Sequence, residues 1–146
     1  MSFGLMDADC LAPKIFNTHE MAGALGKLGC TIEPCGSRVT CNPAPLNTDA
    51  DYLVVAPPLK MQIVSDLVCL LGEHKFTWEG SEHYQDAAAS GFMSWRRDDV
   101  NLIVTADQQF AARHRAATAL CKRLNLLSKP DRVAVFQAVL YSNAAI

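Results

Sequence analysis

The 146-residue chain has no CxxC pair among its six cysteines (Cys10, Cys30, Cys35, Cys41, Cys69 and Cys121) and no adjacent histidine pair. That removes the usual ligand spacing of a structural zinc site. Several of these cysteines sit in apolar segments, where the residue behaves as a small core side chain, so the expectation is reduced thiols in a cytoplasmic protein. No apolar run approaches the roughly 18 residues of a membrane span, so no membrane-spanning helix and no membrane partner are expected. Residues 1–14 lack a charged stretch followed by a continuous apolar one, so no secretory signal is expected. A basic excess is missing too: the formal net charge is -2 and the pI about 6.0. Tight binding of nucleic acid over the whole surface is therefore not expected. A local basic cluster is the remaining expectation, with Arg96, Arg97, Arg113, Arg115, Lys122 and Arg123 the place to look. There is no internal repeat, low-complexity stretch or evident linker.

Hydrophobic residues make up 50% of the chain, enough for a real core. Asn17 or Thr18 can cap a helix over 19–28, with Met21, Leu25 and Leu28 on one face and Gly29 at its end. A short strand over 30–35 follows, then Gly36-Ser37. Residues 42–48, with two prolines, read as a loop. Residues 51–55 are a buried strand stopped by Pro57-Pro58. Met61, Val64, Leu67, Val68 and Leu71 give a helix over 60–71, and 73–90 reads as irregular. Strands over 92–95 and 99–105 precede a long helix to about 124, capped by Asp107. Ser128 opens a last helix to about 141 that buries Val133, Phe136 and Leu140. This order predicts a single α/β (α+β) domain over residues 1–146.

Asp49-Ala-Asp51 opens the 51–55 strand. Residues two apart in an extended chain point the same way, so both carboxylates share one face while Ala50 points away. Two like charges that close are unfavourable unless a cation lies between them. Magnesium takes carboxylate oxygens and keeps positions for phosphate, so the pair reads as a magnesium site for phosphoryl chemistry. Gly36-Ser37 complements it: glycine lets backbone N–H groups approach a phosphate, and the serine adds a hydroxyl donor. Each motif alone is common, and a turn or a solvated acidic strand end is the ordinary explanation of either.

In combination, a strand, Gly36-Ser37, a loop of about a dozen residues and Asp49-Ala-Asp51 before an apolar strand resemble the DNA polymerase β-like nucleotidyltransferases. The segment Trp95-Arg-Arg-Asp-Asp-Val-Asn-Leu-Ile103 is similar to the family's palm strand, and the resemblance spans about residues 21–124. It implies a nucleotidyltransferase-like mixed β-sheet flanked by helices. It also implies magnesium-dependent transfer of a nucleoside monophosphate from an NTP to an acceptor, with release of pyrophosphate. Asp49 and Asp51 would bind two magnesium ions (manganese being an alternative), and Asp99 would bind the one nearer the acceptor and help remove its proton. The family usually has an apolar residue where Asp98 stands. Asp99 is chosen because it shares a face with Asn101 and Ile103, while Val100, Leu102 and Val104 form the apolar face. In a shifted register Asn101 takes the third position, and its neutral amide implies weak or absent catalysis.

Arg38 and Arg97 are the candidate triphosphate contacts beside Gly36 and Ser37. Trp78, His83 and Tyr84 can stack on a base or form a local structural cluster. Acceptors of small standalone family members include RNA ends, proteins and small molecules, and compact isolated versions occur among phage proteins, which would place this chain in a host cytoplasm. The chain has no room for template-holding domains. A second expectation is a binding module that keeps the fold without turnover and engages a protein or nucleic-acid partner. Base preference and oligomeric state are not encoded in any motif.

Overall fold

Period-two alternation in the apolar strands gives the sheet two buried faces, and the helices divide between them. The computed structural model describes residues 17–45, 48–58, 61–80 and 92–141. The expectations for residues 1–14, Cys10, His83 and Tyr84 lie outside the described residues. The elements run α1 (Thr18–Gly26), β1 (Thr31–Cys35), α2 (Ser37–Thr40), β2 (Ala50–Val55), α3 (Met61–Glu73), β3 (Thr77–Gly80), β4 (Met93–Arg97), β5 (Val100–Thr105), α4 (Gln108–Leu124) and α5 (Lys129–Tyr141).

One five-stranded sheet has the order β1-β2-β5-β4-β3. Strand β2 pairs antiparallel with β1 and parallel with β5. Strands β3, β4 and β5 form an antiparallel series. On one face Val54, Val100, Leu102 and Val104 pack with Met21 and Leu25 of α1 and with Leu67 and Leu71 of α3. On the other, Leu53, Val55 and Ile103 pack with Phe110, Ala117 and Cys121 of α4 and with Phe136 and Leu140 of α5. The chain is thus a mixed sheet flanked by helices, the α/β architecture expected from the order of elements. Among the described residues no helix is long and apolar enough to cross a membrane.

Three elements differ from expectation: the short helix α2 follows Gly36 where no helix was expected, and two strands differ as well. Residues 77–80 are a strand, not irregular chain. Trp78 is 59% exposed, so this edge strand carries no alternating apolar signal and is held by its ladder to β4. Strand β5 begins at Val100, because pairing of Arg97 with Val100 leaves Asp98 and Asp99 as the two residues that reverse the chain. Asp98 takes φ 51°, a left-handed conformation that Asp tolerates better than most residues, which accounts for an aspartate there.

The long helix starts where its cap was expected. Asp107 accepts hydrogen bonds from the backbone N–H of Gln109 (2.9 Å) and Phe110 (3.1 Å). Asp107→Ala is expected to cost about 1 kcal/mol of stability, read as a lower urea midpoint with an unchanged slope. At the other end Asn125 adopts a left-handed C-cap, and its side chain exchanges two hydrogen bonds with the backbone of Asn42. The loop after α2 is thereby tied to the end of α4.

Candidate functional site

Along β2 the stripe that faces α4 and α5 reads Asp49, Asp51, Leu53, Val55. It changes from acidic to apolar halfway. Parallel pairing sets Asp51 beside Asn101 and Leu53 beside Ile103, so the same change runs across β5. The apolar half is covered by helices. The polar half forms the floor of an open cleft with a cavity of about 450 Å³, into which Gly36, Ser37, Asp49, Asp51, Arg96 and Asn101 all project. The opposite wall is the start of α5, which contributes Lys129, Arg132 and Phe136.

Gly36 connects the two motifs physically. It has φ 76°, a region that favours glycine. A Cβ there would lie 2.8 Å from both Cβ and Cγ of Asp51, and closer still to Oδ2. The missing side chain is what admits the Asp51 carboxylate against the turn after β1. Cys35, cross-strand from Asp51, is buried, and its thiol is pushed well above its usual pKa by burial first and then by Asp51 and Glu33. It stays protonated and is no nucleophile.

Arg96 rises from the same sheet face as Asn101, its partner on β5. Its Nη1 donates to Asp49 Oδ2 at 2.9 Å and its Nε to Glu79 Oε1 at 3.0 Å. The hydrogen bonds to Asp49 and then to Glu79 raise its pKa further and hold it charged. Arg97, the candidate phosphate contact, is corrected by the same alternation. It points to the other face, where Nη1 donates to the His74 carbonyl at 3.3 Å. Arg38 is also outside the cleft lining; it donates to the Thr48 carbonyl and pairs with Asp99 at 3.7 Å.

Asp99 is not where the strand reading put it. It lies in the β4–β5 turn with a side chain 69% exposed, and its carbonyl accepts from the N–H of Ala50 at 2.8 Å. Asn101 occupies the position beside Asp51, and its Oδ1 accepts from the buried Ser94 hydroxyl at 3.2 Å. The strand reading extended alternation to Asp99, but the ladder begins at Val100, so strand parity governs Asn101 and not Asp99. Among the described residues no three His, Cys, Asp or Glu side chains form a group that could hold a metal ion.

Three residues that line the cleft, and a fourth that pairs with lining residue Arg96, carried no signal in the sequence. Lys129 and Arg132 lie in a helix whose buried side was legible from Phe136 and Leu140 but whose place across the cleft was not. Arg132 is anchored by Nη1, which donates to the carbonyls of Leu126 (2.9 Å) and Leu127 (2.7 Å). Glu79 sits in the stretch read as irregular. His114 is 1% exposed, packs edge-on against Phe136 with ring centroids 5.0 Å apart, and lines the cleft floor. By contrast, Arg113 donates to the Val139 carbonyl and Arg115 pairs with Glu33, so neither serves the cleft.

Burial, and then Arg115, lowers the pKa of His114 from 6.5 to about 4. The unfolded chain therefore takes up a proton near pH 6.5 that the folded chain accepts only near pH 4. This contribution to stability is complete above pH 6.5 and is lost as pH falls toward 4, by about 3 kcal/mol in all. Urea midpoints at pH 7.5 and 4.5 are expected to differ less in His114→Gln than in the wild type.

No protein-family model and no curated protein matches the chain. Among solved structures it is similar to terminal uridylyl transferase 4 from Trypanosoma brucei, determined with bound UTP and UpU, at 13% identity and a TM-score of 0.45. That likeness covers 84% of this chain and 39% of the other, so the chain spans about two fifths of the matched protein's length.

Proposed function

We propose that this cleft binds a nucleoside triphosphate and transfers its nucleoside monophosphate to an acceptor, with pyrophosphate as the second product. The observation that carries the reading is the convergence of Gly36, Ser37, Asp49 and Asp51 on one open cleft faced by Arg96, Lys129 and Arg132. The cavity is of the size that accepts a small ligand. Paired carboxylates opposite cations suit a polyanion that brings a divalent cation with it.

The donor set fits one hard cation. Asp49 and Asp51 supply carboxylate oxygens from one strand face, and the neighbouring Cys35 thiol is held protonated, so no soft ligand competes. Magnesium or manganese at the pair would neutralise phosphate charge and polarise the reacting phosphate. The Ser37 hydroxyl donates to a phosphate oxygen. Lys129 and Arg132 balance the charge that develops on the departing pyrophosphate. The Asn101 amide, oriented by Ser94, presents its NH₂ to the ligand. Acceptors to be tried are RNA ends, proteins and small molecules bearing a hydroxyl.

Asn101 also favours a second reading. With an amide beside Asp51 and Asp99 in a turn, the described residues of the cleft include no third carboxylate to take the acceptor's proton, and the domain would hold nucleotide without turning it over. Labelled NTP binding with and without magnesium, followed by pyrophosphate release with each acceptor class, separates the two. Binding that is unchanged in EDTA would sink the cation site, and magnesium-dependent binding without pyrophosphate release would favour the second reading.

A further inference from the structure

We infer that Arg96 is a built-in competitor for the cation at Asp49, and that Glu79 is the positioning residue that draws it away. The inference rests on the proposal that Asp49 and Asp51 hold a divalent cation. The Arg96 guanidinium lies between two carboxylates and uses different nitrogens for each, Nη1 for Asp49 and Nε for Glu79. Its side chain is only 32% exposed, so water is a poor substitute for either partner. A cation that takes Asp49 Oδ2 displaces Nη1 from that oxygen. The displaced Nη1 keeps the neutral Asp98 carbonyl at 3.5 Å, and Glu79 at Nε supplies the remaining negative partner.

Glu79 stands there because of the strand's irregularity. Trp78 pairs with Trp95, whereas the next pair is Gly80 with Ser94, so Glu79 is the extra residue of a bulge and has no cross-strand partner. Bulges re-aim side chains in this way. The carboxylate meets Arg96 at Nε, whereas Asp49 takes Nη1. By offsetting part of the guanidinium charge, Glu79 leaves Arg96 a weaker competitor at Asp49, and so raises the cation affinity of a site to which it contributes no ligand.

The test is Mn²⁺ binding to the full chain without nucleotide, followed by electron paramagnetic resonance or calorimetry. Arg96→Gln is expected to tighten Mn²⁺ about fivefold, the scale of a partly exposed ion pair removed from competition. Glu79→Gln is expected to weaken it about threefold in the wild-type background and to change nothing when Arg96 is already Gln, since coupled residues are not additive. Glu79→Asp keeps the charge but shortens the reach, and is expected to behave like Glu79→Gln. Equal weakening by Glu79→Gln in both backgrounds, or wild-type behaviour of Glu79→Asp, reduces the effect to bulk charge and overturns the inference. Unchanged or weaker binding in Arg96→Gln overturns it as well. Wild-type Mn²⁺ affinity in Asp51→Asn would instead show that the pair is not the cation site, which removes the proposal beneath it.

Discussion

Asp51→Ala is expected to reduce pyrophosphate release about 100- to 1,000-fold, the usual cost of losing one preorganised charged group at a reacting phosphate. Of the cleft's carboxylates, Asp51 is the one most firmly held. It is flanked by Cys35 on β1 and Asn101 on β5, and it fits beneath Gly36. The loss should fall on activity and not on folding. The side chain is only partly buried, and its removal relieves a negative charge beside the Cys35 thiol. A urea midpoint close to the wild type, alongside the loss of turnover, is the combination to look for. Asp51→Asn keeps the shape and isolates the charge. Asp99→Ala is expected to lower activity far less, because that side chain is exposed in the turn. If Asp99→Ala lost as much activity as Asp51→Ala, the turn carboxylate would have to take part.

Gly36→Ala is expected to destabilise the fold by about 3 kcal/mol and to abolish cation-dependent nucleotide binding. Two costs add. A side chain at φ 76° is strained by about 1–2 kcal/mol, and overpacking against a neighbour costs about 1–3 kcal/mol. The neighbour is the Asp51 carboxylate, which cannot retreat without leaving the position opposite Asn101. A single methyl group therefore tests both motifs at once. Urea titration reads the first effect, and labelled NTP binding in magnesium reads the second. Nucleotide binding that survives Gly36→Ala would mean that the close approach of Asp51 to the turn is irrelevant to the ligand.

Gly36 serves both motifs of the cleft. In the sequence Gly36-Ser37 suggested a backbone cradle for phosphate. In the structure the glycine has a second use, as space for Asp51, fifteen residues further along the chain. No local pattern could show that, because the contact depends on β1 and β2 pairing antiparallel with Cys35 opposite Asp51. Arg96 and Arg97 show the same division. Adjacent arginines on a strand must face opposite ways, so one of them had to be remote from the site. The choice between them depended on the register of β4 against β5.

Local chemistry by itself determined the shared face of Asp49 and Asp51, the Asp107 cap of α4, and the apolar faces of β2 and β5. Each rests on backbone periods of two or 3.6 residues and on hydrogen bonds within a few residues, which neighbours in the chain dictate. The tertiary structure alone decided that Asn101 lies beside Asp51, that Asp99 turns the chain, that the bulge brings Glu79 to Arg96, and that α5 sets Lys129 and Arg132 across the cleft. Those relations join segments far apart in the chain, and side-chain alternation specifies which face a residue takes without specifying which residue stands opposite.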